Sequence, residues 1–147
     1  MHTSNLFQSS AATVMVKHIE LIGTDLNAWL QLLAHDAVVE FPYGASLGRS
    51  TRYENRADIE AHMRSFTGIV GSFKFSDIDI TESADGLRAW ASFRGEAWVE
   101  SRRTMYRQDY AAYLVLQDGK IKLYREYWNP CHIAAAFGAK LHLEEPD

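Results

Sequence analysis

A carboxylate flanked by two large aromatics is the first chemistry-bearing pattern in this chain. Lys120–Trp128 reads Lys-Ile-Lys-Leu-Tyr-Arg-Glu-Tyr-Trp. As a strand it alternates its side chains, so Tyr124, Glu126 and Trp128 share one face and Leu123, Arg125 and Tyr127 the other. An aromatic-lined cavity would strip water from Glu126, disfavour its anion and tune it for acid–base work. Otherwise Glu126 pairs with an arginine and only tunes packing. Two histidines fall on apolar helical stripes. His18 lies within the stripe Ala11, Val14, Met15, Ile19 and Ile22, and His62 lies between Ile59 and Phe66. Each is either a proton partner in a pocket or a core imidazole bonded to a backbone carbonyl. Asp109 could orient one of these imidazoles, or end a strand in solvent.

The elements that must position these groups are legible in order. Ser9 or Ser10 caps a first helix, and Gly23-Thr24-Asp25 separates it from a second running from about Leu26 to Leu33, with Trp29, Leu30 and Leu33 inward. A strand follows over Ala37 to Phe41, with Val39, Phe41 and Tyr43 on one side. Asn55 and Asp58 cap a third helix from about Arg56 to Phe66. Beyond Gly68 the period changes to two. Strands are predicted over Ser72 to Thr81, Leu87 to Glu100, Thr104 to Gln117 and Lys120 to Trp128, the last two joined at Asp118-Gly119, a strong hairpin signal. Phe73, Phe75, Asp77 and Asp79 are expected on one face of the first of these strands. Ile133 to Phe137 reads as a short helical turn.

Helices followed by an antiparallel meander give an α+β class: a curved antiparallel sheet wrapped around N-terminal helices, enclosing one pocket. Phe41, Tyr43, Phe93, Tyr113, Tyr124 and Trp128 would line it and suit a flat ring system; plain core packing is the alternative for each. Arg49, Arg52 and Arg56 flank its mouth, either steering an anionic substrate or forming a solvated loop. Trp90 and Trp98 fall on the opposite face of a central strand, where exposed aromatics indicate a subunit interface.

Composition narrows the function. The chain has 147 residues, 47% hydrophobic and 23% charged, with net charge −4. That suits one soluble domain with its core over about residues 10–132 and mobile ends, and offers no basic face for nucleic acid. No apolar run approaches the roughly 20 residues of a bilayer span. The N-terminus shows no secretory signal, and Cys131 is the sole cysteine, so a cytoplasmic protein without disulfides is expected. His2, His35, His132 and His142 lack metal-ligand spacing, and phosphate-cradling or dinucleotide-binding glycine motifs are absent, so neither metal nor cofactor is expected.

The order helix–helix–strand–loop–helix–four strands resembles the nuclear transport factor 2-like superfamily, the cystatin-like cones. The stretches that carry the likeness are Ala37-Val-Val-Glu-Phe-Pro-Tyr-Gly44, Arg56-Ala-Asp-Ile-Glu-Ala-His-Met63 and Asp118 to Pro130. Within it the chain is similar to SnoaL-like polyketide cyclases, phenazine-biosynthesis A/B proteins and, along Met15 to Gly44, ketosteroid isomerase. The isomerase's general base would fall on Phe41, its tyrosine donor on His18, and its second acid near Ala111, two residues from Asp109. An isomerase-type base is therefore missing. The histidine and glutamate of the phenazine A/B proteins fall on His62 and Glu126, and limonene-type epoxide hydrolases place an aspartate at the latter position.

The resemblance implies a cofactor-independent isomerase, cyclase or dehydratase acting on a small cyclic, partly apolar substrate. His62 and Glu126 would be the acid–base pair, with His18 and Asp109 assisting, in a homodimer formed through the outer sheet face. A non-catalytic small-molecule-binding or dimerisation module of the same fold is the alternative.

Overall fold

The computed structural model describes residues 9–143. The loose tail expected over residues 1–8, with His2, and the acidic end from 144 onward lie outside them. The elements run α1 (Ala11–Ile22), α2 (Leu26–Leu30), β1 (Leu33–Glu40), a 3-10 helix (Pro42–Leu47), β2 (Arg52–Tyr53), α3 (Arg56–Thr67), β3 (Lys74–Glu82), β4 (Arg88–Val99), a 3-10 turn (Glu100–Arg102), β5 (Thr104–Gln117), β6 (Lys120–Trp128) and α4 (Pro130–Phe137). The strands form one curved six-stranded sheet in the order β2-β1-β6-β5-β4-β3. All pairings are antiparallel except β1 with β6, which is parallel. The expected α+β architecture is present, with that one departure from an all-antiparallel sheet.

The helix starts follow their capping residues. Ser10 Oγ accepts from the Thr13 amide at 3.3 Å, Asp25 from Ala28 at 3.0 Å, Asn55 from Ala57 at 2.8 Å and Asn129 from Cys131 at 2.9 Å. The second helix is shorter than expected and Leu33 already belongs to β1. Arg56 explains the stop: its guanidinium donates to the carbonyls of Leu30 at 2.9 Å and Leu33 at 3.0 Å. Arg56 therefore clamps α2 to α3 and does not flank a pocket mouth. Arg52 is exposed and paired with Glu54 at 2.6 Å.

The two-residue turn at Asp118-Gly119 has φ of 52° and 77°, the doubly positive pattern that matches strand twist. Two bulges then change what faces the core. In β3, Asp77 has φ 53° and the register with β4 shifts between Ser76 and Asp79. Phe75 and Ile80 consequently both pack on the core, which breaks the alternation expected for Phe73, Phe75, Asp77 and Asp79. In the β5–β6 hairpin the register shifts between Val115 and Leu116.

The inner face of the sheet packs on α1, α2 and α3 through Val14, Met15, Trp29, Ile59, Phe93, Leu114 and Tyr124. A second cluster of Val99, Tyr106 and Ala136, with Phe66, Phe73 and Phe137 against it, joins α4 to the sheet. Buried Gln108 fixes that joint, exchanging two 2.9 Å bonds with the backbone N–H and carbonyl of Asn129. On the outer face Trp90 and Trp98 are 46% and 44% exposed in the single chain. No helix among the described residues is long and apolar enough to cross a membrane.

Gly95 in β4 lies under three rings. A Cβ there would sit 2.8 Å from Tyr110 Cε2, 3.1 Å from Phe75 Cε1 and 3.3 Å from Phe73 Cε1. In an open strand Gly→Ala stabilises slightly by restricting the unfolded chain. Here the sign reverses: Gly95→Ala is expected to destabilise by about 1–3 kcal/mol, measured as a lower urea midpoint. A neutral or stabilising result would mean the aromatic layer is loosely packed.

Candidate functional site

A cavity of about 280 Å3 opens between the inner sheet face, α1, α3 and α4. Its walls are mainly aromatic, with Phe41 from the end of β1, Phe66 from α3, Phe75 and Phe93 from the sheet, Trp128 from β6 and Phe137 from α4. An apolar cavity of about 150 Å3 accommodates benzene, so this one suits one or two fused rings.

Glu126, His62 and His18 all line this cavity. Glu126 is partly buried, and no arginine pairs with it among the described residues. Its partner is Tyr124, whose hydroxyl donates to Oε2. Arg125, next in sequence, points to the other face and pairs with Glu40 at 3.3 Å. Burial raises the Glu126 carboxyl from 4.5 to about 7, and the Tyr124 bond opposes part of that rise. Tyr124 itself is fully buried, with its phenol held well above the usual range by burial and then by the neighbouring carboxylate.

His62 stacks on Tyr53 with ring centroids 4.5 Å apart and packs on Phe41 at 4.9 Å. Burial first, and the Arg49 charge second, lower it from 6.5 to about 4. No hydrogen bond joins it to Glu126 among the described residues, so the two groups can cooperate only through something held between them. His18 is 1% exposed and burial lowers it from 6.5 to about 3. Its Nδ1 accepts a 2.7 Å hydrogen bond from Trp29 Nε1, and its ring lies 4.4 Å from that of Tyr124.

Phe41, Phe93 and Trp128 lie in the cavity wall, whereas Tyr124, expected there with them, is fully buried and does not line it, and it reaches the site through its bond to Glu126. Three other expected residues are elsewhere. The Asp109 side chain is 71% exposed on the outer face, bonded to Arg94 at 3.3 Å. Tyr113 is on that face too, its ring tilted against Trp90 at 4.6 Å and covered by the Arg125 guanidinium at 5.6 Å. The hairpin bulge is the reason: it sets Ala112, and not Ala111, opposite Glu126, so the even-numbered residues of β5 face inward. Tyr43 is 47% exposed because Pro42 starts the 3-10 helix and ends the alternation of β1. Arg49 lines the cavity rim.

The same bulge brings in two residues that sequence reasoning missed, Tyr106 and Tyr110. Their hydroxyls lie 3.1 Å apart, buried and at the cavity wall. Burial pushes Tyr106 up to about 12 and Tyr110 well above its usual value, so both stay protonated. Two hydroxyls sharing one hydrogen bond leave one O–H free to donate. Their four-residue spacing on β5 was the available signal. Among the described residues no group of three or more His, Cys, Asp or Glu is placed to hold a metal. The arrangement offers one carboxyl poised near neutrality, two neutral imidazoles and phenolic donors around a space for a ring.

Known proteins share this fold. An uncharacterised PhzA/B-like protein of Pseudomonas aeruginosa is 35% identical over 130 residues, covering 88% of this chain and 91% of its own. The uncharacterised protein YesE of Bacillus subtilis is 31% identical over 142 residues, covering 96% of each. Among solved structures, a Bacillus subtilis protein provisionally named an isomerase superposes with a TM-score of 0.78 at 30% identity, covering 90% of this chain and 96% of its own. A phenazine biosynthesis-related protein of Pseudomonas aeruginosa superposes at 0.72 with 18% identity, covering 91% and 88%, a likeness of fold. The model of the SnoaL-like domain matches residues 18–124, and the chain belongs to the SnoaL-like domain family.

Proposed function

We propose that the cavity is the active site of a cofactor-independent enzyme that moves a proton on a small cyclic, partly apolar substrate, in an isomerisation, cyclisation or dehydration. The observation that carries this reading is Glu126. A carboxyl held among aromatic rings, with a phenol in place of a cation as its partner, is costly to bury. It is also close to half ionised at pH 7, where a group serves equally as base and acid. The names of the relatives, an isomerase and phenazine-related proteins, support the reaction class.

In this mechanism the substrate ring lies between Phe41, Phe93 and Trp128. Ionised Glu126 removes a proton from carbon next to a carbonyl, the electron pair moves onto the carbonyl oxygen, and the enolate is reprotonated from the carboxylic acid just formed. Tyr124 steadies the carboxylate through its O–H. Neutral His62 accepts or donates a hydrogen bond at the far side of the substrate.

Proton exchange at the α-carbon of cyclic ketones in heavy water, followed by proton NMR, reads this step without knowledge of the overall reaction. The wild-type rate should rise through about pH 7 and level above it, because the ionised fraction of Glu126 grows with pH. Glu126→Gln should lower the rate by about 100-fold or more. Equal exchange by the variant, or none by the wild type across a panel of ring ketones, would overturn the assignment.

The ionisation also shows in stability. Glu126 titrates near 4.5 unfolded and about 7 folded, so the folded state holds more protons between these values. Its contribution is full below 4.5 and is lost as pH rises through 7. His18 and His62, lowered to about 3 and about 4 from 6.5, act oppositely: their contribution is lost as pH falls. The wild-type curve sums these effects, and subtraction isolates Glu126. Relative to wild type, Glu126→Gln should gain on the order of 2 kcal/mol between pH 4.5 and 8, measured by urea unfolding. A flat difference would place the carboxyl in water.

A further inference from the structure

His18 stands out after the proton-transfer step has been assigned, because that step makes no use of it. It is almost wholly buried in α1 and lines the cavity. Its ring has one nitrogen engaged: Nδ1 faces the Trp29 indole, 2.7 Å from Nε1. An indole N–H only donates, so Nδ1 must accept and cannot carry a proton. Neutral imidazole carries its proton on one nitrogen, and that leaves Nε2. Nε2 is the one buried side-chain nitrogen or oxygen without a partner in the chain, among the described residues. Buried donors are rarely left unsatisfied, and the cost of leaving one is recovered when a ligand supplies an acceptor.

We propose that Trp29 is a positioning residue that locks His18 in its Nε2–H form, and that His18 thereby presents a fixed neutral donor to a carbonyl or enolate oxygen of a ring substrate in the cavity. The catalytic use of this donor rests on the proton-transfer reading above; the state of His18 does not. The surroundings fit the role. Tyr124 packs its ring against His18 at 4.4 Å, which limits ring flipping. Trp29 is itself fully buried on α2, the short helix whose end Arg56 clamps through the Leu30 and Leu33 carbonyls. Arg56 thus holds the helix that holds the tryptophan that orients the imidazole. A neutral donor is matched to an oxygen that is a carbonyl in the ground state and gains charge as the α-proton leaves. It strengthens its bond as that charge develops, without giving up its own proton.

The test uses nitrogen-15-labelled histidine in the full chain. Long-range proton–nitrogen correlation spectra distinguish the two neutral tautomers directly. His18 is expected to show a bare Nδ1 and a protonated Nε2 across neutral pH, favoured by about tenfold or more. In Trp29→Phe the ratio should relax toward that of free histidine. The probe is 1-tetralone, a two-ring ketone, with tetralin, the same skeleton without oxygen, as control. Tetralone should shift the His18 Nε2–H proton downfield and tetralin should not. In Trp29→Phe the tetralone shift should shrink.

A protonated Nδ1 in the wild type overturns the proposal, as does a His18 proton indifferent to tetralone. Should Trp29→Phe fail to fold, the two wild-type measurements decide the matter. Glu126→Gln leaves this signature intact, so failure of the proton-transfer reading and failure of this one are read at different residues.

Discussion

Removing Glu126 from water is the constraint on which the rest of the cavity depends. A buried carboxylate normally finds a guanidinium or reverts to its neutral form. Arg125 is adjacent in sequence but lies across the sheet, committed to Glu40. What reaches Glu126 is the Tyr124 hydroxyl, a neutral donor two residues earlier on the same face. One phenol steadies the anion without fixing it, and the carboxyl stays near its midpoint at neutral pH. Tyr124 links this to α1, since its ring also packs on His18. Acid, phenol, imidazole and indole form one continuous buried series from β6 to α2.

The space exists because the surrounding rings cannot collapse into it. Gly95 allows Tyr110, Phe75 and Phe73 to lie close over β4, setting the depth of one wall. The Asp77 bulge turns Ile80 inward after Phe75, so both pack on the core. Gln108 on β5 holds Asn129, the junction of β6 and α4, so that Ile133 and Phe137 of α4 form the far wall. Planar side chains pack well against each other and poorly into the remaining irregular volume. An enclosure of rings over a glycine, clamped at both ends, keeps an opening that branched aliphatics would fill.

Most of this fold was legible because its signals are local. Ser10 and Asn55 mark helix starts, Asp118-Gly119 marks the hairpin, and a change of period after Gly68 marks the sheet. The faces of Glu126, His62 and His18 followed from the same periodicities. What failed was the face of β5, and the reason is arithmetic. Counted without interruption from the turn, where Gln117 pairs with Lys120 and Leu116 with Ile121, Ala111 would stand opposite Glu126. That places Asp109 and Tyr113 inward. The bulge inserts Lys122 into β6, so Val115 meets Leu123, β5 alternates unbroken, and its even-numbered residues share the inner face with Tyr124, Glu126 and Trp128. Both faces of this strand carry tyrosine and aliphatic residues, and the signal that separates them is charge, since Arg107 and Asp109 fall on the odd-numbered face and the even-numbered face carries none. The Trp29–His18 bond was hidden for a different reason: an eleven-residue separation across two helices is a tertiary contact that no local period encodes.

Burial acts on the acid and the bases in opposite senses, and the outcome defines the cavity. In water a glutamate near 4.5 and a histidine near 6.5 would pair as ions between those values. Here the order inverts, with Glu126 at about 7, His62 at about 4 and His18 at about 3. A proton entering the cavity resides on the carboxyl, and both imidazoles remain neutral throughout the range in which Glu126 titrates. Glu126 therefore forms no ion pair with either imidazole. Of these three groups only Glu126 takes a charge in that range, while Arg49 and Arg102 supply the cations of the lining. Under the proposed mechanism this suits a largely apolar substrate that gains charge only when a proton is taken from it, where Nε2–H and the phenols would meet it. In the proposed reaction the desolvation that raises Glu126 also keeps His18 neutral, so selectivity and reactivity would share one physical origin.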